Sequence, residues 1–430
     1  MPGDTPRELA NYIKNGQNRE LAQSLTHDFK DMSRSDFQNL ISQTKNINDA
    51  DLKANDHLPA AEFSKNAYGN YELNITTPGK VFGNYWRDEN VAWTADLLQS
   101  NRPDNIFEDV GNVASSARTY DATALAGQDA SASKAAYLEG EGKVKDAAEL
   151  YENGIAVANG GRTYDAVAIA TTFAQDSKAD FLDRQGDTSA AGKEYDEACT
   201  SAKTARTYDS DAFASSSALS SKARFLEKHG KSDEASSTFD LAIKAANDGR
   251  TYDAIAISES TAMDAKAGFL ERSGKLDQAD KLFDDAITSA GGARTYDATA
   301  IGKSAAIDSK ATFLERQGKI DDAAKFFDDA ITAAGTGRTY DALAIAQSAA
   351  LDAKAAFLER QGKQNDAAAL YENAVTSATT ARTWDARAVS LTSALAAKAS
   401  FLVRKNHGLS APPPSTDGPS TGKAFQVALS

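Results

Sequence analysis

Residues 338–381 read RTYDALAIAQSAALDAKAAFLERQGKQNDAAALYENAVTSATTA, and this stretch decides the fold. Thr339 is a good helix N-cap, because its hydroxyl can accept from a free backbone N–H of the first turn. Asp341 follows inside that turn, where a negative charge suits the helix dipole. Ala342 to Gln361 contains neither Gly nor Pro and is dense in helix formers, with Tyr340, Ala344, Leu351, Ala355 and Leu358 on one side of a wheel. Gly362 then ends the helix as a C′ glycine. A second helix starts at once, with Ala367, Leu370, Tyr371, Ala374 and Val375 at amphipathic spacing. The unit is a long helix A, a tight turn and a shorter helix B.

Working outward, the tetrad Arg-Thr-Tyr-Asp begins at Arg118, Arg162, Arg206, Arg250, Arg294 and Arg338, and returns as Arg-Thr-Trp-Asp at Arg382. Each step is 44 residues with no insertion or deletion. Such spacing requires every unit to stack on its neighbours in the same way, because one αα-hairpin cannot bury its own apolar face.

Gly362, Ala367, Tyr371 and Ala374, with Ala355 on helix A, have the spacing of the small and aromatic positions of the tetratricopeptide repeat (TPR) motif. Gly318, Ala323, Phe327 and Ala330 repeat them, as do Gly274, Ala279, Phe283 and Ala286. The chain therefore resembles a long-unit TPR protein of the kinesin light chain kind. The resemblance implies an all-α, right-handed αα-hairpin superhelical solenoid with helices A on its concave face. It covers residues 118–405, six hairpins and a final helix A. Two departures are the longer unit and a lysine, such as Lys354, where the motif has a large apolar residue.

Residues 1–110 do not share the 44-residue period and read as a mainly helical cap. Thr5-Pro6-Arg7-Glu8 is a capping-box pattern, and Phe37, Leu40, Ile41 and Thr44 share a helix side. Tyr71, Leu73 and Ile75 alternate ahead of Pro78-Gly79 and Val81-Phe82, the pattern of a small hairpin. Phe82, Tyr85, Trp86 and Trp93 read as a core that seals the first repeat. Residues 406–430 read as a flexible tail around Pro412-Pro413-Pro414, with Ala424 to Leu429 able to fold back on the last helix.

The net charge of −14 argues against nucleic acid and anionic membrane as partners, since both need clustered positive charge. No stretch reads as about 20 apolar residues in a row, and the start lacks a signal-peptide pattern. The expected location is cytoplasmic, with signal-independent export open.

Little chemistry is legible. Gly418 to Lys423 has too few residues between its glycines for a phosphate loop. His27, His57, His229 and His407 have no partner at metal-ligand spacing, and Cys199 stands where other units place Ile or Val. Asp240, Asp284 and Asp328 repeat with the period and read as solvated faces or inter-repeat pairs. No catalytic residue, metal or cofactor is expected, and no small-molecule ligand. The informative set is the row Arg162, Arg206, Arg250, Arg294, Arg338 and the row Lys178, Lys222, Lys266, Lys310, Lys354. Each Arg follows a helix B and can bind its last carbonyls or stack on a neighbouring Tyr. Each Lys lies on the packed side of helix A and needs a carboxylate, for which Asp341 or Asp385 is the expected partner of Lys354. These rows are either a structural ladder or a track that holds a protein or peptide partner.

The expected function is a non-catalytic scaffold or adaptor. The alternatives are an architectural protein that self-associates and an enzyme on a closed α/α toroid. A partner site should break the repeat, and Phe173, Phe213, Glu259 and Lys303 are the variable helix A positions.

Overall fold

In the computed structural model, residues 60–65, 71–76, 92–94, 103–406 and 409 are described. The chain divides into two compact units, residues 1–113 with 405–407, and residues 114–404 with 408–430.

In the first unit, β1 (Ala60–Lys65), β2 (Tyr71–Thr76) and β3 (Ala92–Thr94) form an antiparallel sheet in that order. Leu73 is opposite Phe63 on one side and Trp93 on the other. The Tyr71–Ile75 alternation thus lies in the central strand, whereas Val81-Phe82, its expected mate, lies outside the described residues. So do the helices read over residues 1–59 and the tail segment 424–429. Helix α1 (Pro103–Ala114) follows, with Ile106, Phe107, Val110 and Val113 buried.

The second unit is the repeat array, an all-α stack of TPR-like hairpins. Helices A are α2 (Tyr120–Gly140), α4 (Tyr164–Arg184), α6 (Tyr208–Lys228), α8 (Tyr252–Arg272), α10 (Tyr296–Arg316), α12 (Tyr340–Arg360) and α14 (Trp384–Asn406). Helices B are α3 (Val144–Ala158), α5 (Thr188–Ala202), α7 (Ser232–Ala246), α9 (Leu276–Ala290), α11 (Ile320–Ala334) and α13 (Gln364–Thr379). From α2 to α12 each helix A packs on the helix A before and after it, while each helix B packs on its own helix A and the next. Helices A are therefore covered on several sides and use Ala and Ser there; α10 buries Ala298, Ala300, Ser304, Ala306 and Ala311. Helices B bury one stripe, as Ala323, Phe327, Ala330 and Ala334 do in α11.

The aromatic of each helix B meets the phenylalanine of the next helix A. Phe327 and Phe357 have ring centroids 4.9 Å apart, and Tyr151–Phe181, Phe239–Phe269 and Tyr371–Phe401 repeat the contact at 4.9–5.3 Å. The turn between A and B needs glycine: Gly318 and Gly362 have φ of 74° and 75°, a left-handed conformation that a β-branched residue resists.

Two expectations change. Tyr340, placed on the apolar side of its helix, is 50% exposed, because the helix begins with it and its ring points out of the stack. In addition, α14 is by length and composition apolar enough to cross a membrane. In the array it is mostly buried, and it pairs Lys398 with Glu372 and Arg404 with Glu359.

Candidate functional site

Each tetrad does three jobs at the edge where helices A begin. Its threonine caps its own helix, as Thr339 Oγ1 does by accepting from Ala342 N at 3.1 Å. Its aspartate reaches the next unit: Asp297 Oδ1 accepts from Arg338 N at 2.6 Å and Thr339 N at 3.1 Å. Its arginine lies over the preceding unit's tyrosine, Arg338 over Tyr296 with Cζ 3.6 Å from the centroid. The stacking predicted from the arginine row is thus present at Arg162, Arg206, Arg250 and Arg294 as well, at 3.6–4.0 Å.

The same rung joins the last helix A to the first. Asp385 Oδ1 accepts from Arg118 N at 2.7 Å and Thr119 N at 3.1 Å, and Arg118 lies 4.7 Å above Trp384. Seven aspartates thus serve seven Arg-Thr pairs, and this edge of the array is a closed cycle. The six tyrosines are 50–56% exposed and the arginines are exposed.

The lysine row has another partner than the one expected. Lys354 pairs with Asp328 on the preceding helix B, whereas Asp341 serves Arg382 and Thr383 and Asp385 serves Arg118 and Thr119. The wheel gave the side of helix A that Lys354 occupies, and on that side the nearest carboxylate belongs to helix B. Lys178 meets Glu152 and Glu194, Lys222 meets Asp196, Lys266 meets Asp240, and Lys310 meets Asp280 and Asp284. The periodic carboxylates Asp240, Asp284 and Asp328 are therefore ion-paired.

A third row, absent from the sequence reading, lies where helices A end. Arg360 donates to both oxygens of Glu315 at 2.9 and 2.7 Å, and Gln361 adds a bond to the same carboxylate. Arg184–Glu139, Arg272–Glu227, Arg316–Glu271 and Arg404–Glu359 repeat the fork, and Lys228 with His229 binds Asp183 in the third unit. Burial pushes the Asp183 carboxyl up, but hydrogen bonds from Lys228 and His229 outweigh it and hold it below its usual value. The signal was a Glu-Arg or Asp-Arg dipeptide ending most helices A, which reads as an ordinary helix-end charge.

Midway along helices A, burial holds Asp176, Asp264 and Asp308 well above the usual carboxylate range. Burial also pushes the Cys199 thiol up to about 11, so it is a core thiol without thiolate character at neutral pH. Of the variable positions, Phe213 is buried against Phe173, and Glu259 bonds Asn247 and Ser289. No group of metal ligands is found among the described residues.

No family model matches the sequence, and no curated protein matches it. Solved structures similar to the chain include BtubC (BKLC) from P. vanneervenii, with 17% identity, a TM-score of 0.32, and 53% of this chain and 91% of that one covered. Another is yeast Tom70, with 14% identity, a TM-score of 0.31, and 94% and 83% covered. The hairpin stacking itself defines a TPR-like helical repeat array.

Proposed function

We propose that the protein is a non-catalytic scaffold or adaptor that holds a protein or peptide partner along the edge where helices A begin. One observation carries this reading. The lysine row is paired with helix B carboxylates, whereas the arginines lie exposed on exposed tyrosines, with no ion pair to their side chains among the described residues. Arg and Tyr on one surface are the residues that dominate binding energy at protein interfaces. Mid-helix, by contrast, α12 exposes only Ala349.

The spacing selects the partner's form. Packed helices lie about 10 Å apart, and an extended chain advances about 3.3 Å per residue. An extended segment with an acidic side chain at every third residue therefore meets successive arginines. A straight helix cannot follow a closed edge of seven.

The test is fluorescence anisotropy with labelled peptides on the order of 20 residues, a length that spans six such intervals. One carries Glu at every third position and the other the same residues with Glu clustered. The spaced peptide is expected to bind more tightly, and Arg206→Ala, Arg250→Ala and Arg294→Ala together to weaken it at least tenfold. Lys281→Ala, at an exposed lysine of α9, should leave it unchanged. Equal binding of both peptides, or no effect of the arginine substitutions, overturns the proposal.

A further inference from the structure

The edge where helices A begin repeats its tetrads but not the residues around them. Three residues before each tetrad and two after it flank the arginine of that rung. At Arg118, Arg162, Arg294 and Arg338 none of those five is charged. The Arg206 rung carries one charge of each sign, Lys203 and Asp211, whereas the Arg250 rung carries only Asp248 and the Arg382 rung only Arg387. Asp248 is exposed, and its backbone N–H donates to Ala245 O at 3.1 Å, which holds it in the turn that leads to Arg250. Lys244 stands one turn back on α7, with no ion pair to Asp248 among the described residues. Arg387 Nε donates to Ala381 O at 3.0 Å, directly before the tetrad of its unit. Each tetrad brings one arginine and one aspartate, so the Arg250 rung has a net negative charge and the Arg382 rung a net positive one.

We infer that this uneven charge, resting on the extended acidic partner proposed above, sets the register in which that partner is held. The bound segment carries a basic side chain opposite Asp248 and acidic ones at the other rungs. Seven equal rungs would accept a spaced acidic segment in many registers, because a slide of three residues brings each acid to the next arginine. Asp248 breaks that equivalence, since it repels an acid at the Arg250 rung and attracts a base there. Arg387 acts in the opposite sense at the Arg382 rung, three steps round the cycle in one direction and four in the other. No two rungs of seven stand further apart, so the edge is more positive on one side and more negative across from it. Like-charge contact in the wrong registers adds to the attraction in the right one. At an exposed edge a charge about 6 Å away acts through water, and exchanging Glu for Lys reverses its sign, an effect of about tenfold on affinity.

Fluorescence anisotropy on the full chain tests this with two labelled peptides, one with Glu at every third position and one in which a single such Glu is Lys. The parent chain is expected to bind the one-Lys peptide at least as tightly as the all-Glu peptide. Asp248→Thr places there the residue found at Thr204, Thr336 and Thr380. That variant should tighten the all-Glu peptide and weaken the one-Lys peptide, so the ratio of their dissociation constants shifts about tenfold. A peptide with two Lys should bind the parent more weakly than the one-Lys peptide, because only one of them can meet Asp248. A ratio that Asp248→Thr leaves unchanged, while the all-Glu peptide still binds, overturns the register alone. Failure of both peptides to bind the parent chain overturns the partner reading, and the register with it.

Discussion

The two edges of the array are built on opposite plans. Where helices A begin, each rung is a half-buried aspartate accepting two backbone N–H groups, its arginines and tyrosines are exposed, and all seven rungs are present. Where helices A end, each rung is a side-chain ion pair, and burial varies along the row. Arg184 is 45% exposed at one end, whereas Arg360 is 14% exposed and its partner Glu315 only 5%. The first edge can afford exposure because backbone groups, fixed by the helices, carry the connection. The second depends on side chains that must order each other, so its strength follows burial.

That contrast can be broken in three places. The largest effect belongs to Glu315→Ala, which strands Arg360 in a mostly buried site at a cost of about 3 kcal/mol. Glu139→Ala, facing the more exposed Arg184, should cost about 1 kcal/mol or less in the same urea titration. Equal losses at both sites would show that burial does not grade this edge.

Asp297→Ala removes the acceptor of two N–H groups, and about 2 kcal/mol is expected because water reaches that edge and replaces part of the bonding. Chemical denaturation of Asp297→Asn alongside it separates the acceptor from the charge: the amide oxygen should recover most of the loss.

The third and smallest effect lies between the edges. The Asp308 carboxyl is raised by burial, and its Oδ1 has no hydrogen-bond partner among the described residues. A raised folded-state pKa favours folding fully below the usual carboxylate pKa, and that contribution is lost as pH rises through the shifted value. Asp308→Asn should therefore gain in melting temperature relative to the parent as pH rises from 5 to 8. A difference that stays flat over that range would mean that the carboxyl is ionised in the fold.

Local features of the array were legible in one unit of sequence. Thr339 as a cap, Gly362 as a left-handed stop and Arg over Tyr each involve residues close in the chain or one period apart. Pairings across helices were not. Lys354 finds Asp328 26 residues back, because a helical wheel orders one helix's own sides and says nothing of which neighbour's carboxylate stands nearest. The expectation that residues 1–110 lie outside the period fails at α1, where Phe107, Glu108, Val110 and Ala114 stand one period before Tyr151, Glu152, Gly154 and Ala158. That helix lacks the turn glycine and the Ala that five of the six helices B carry at the Val110 position. Meeting of the ends was hidden for another reason, since it depends on the small rotation between units, summed seven times, and no single residue encodes that sum.

The bond from Asp385 to Arg118 has a genetic corollary. Tandem repeats of equal length are prone to unequal recombination, which adds or removes whole units, and an open stack absorbs such changes one unit at a time. A cycle closes only when the rotation per unit divides a full turn, about 51° for seven, so six or eight copies would leave Asp385 facing no Arg-Thr pair or colliding with one. Closure therefore acts as a counting device: it fixes the repeat number of the gene and lets the units diverge only in place.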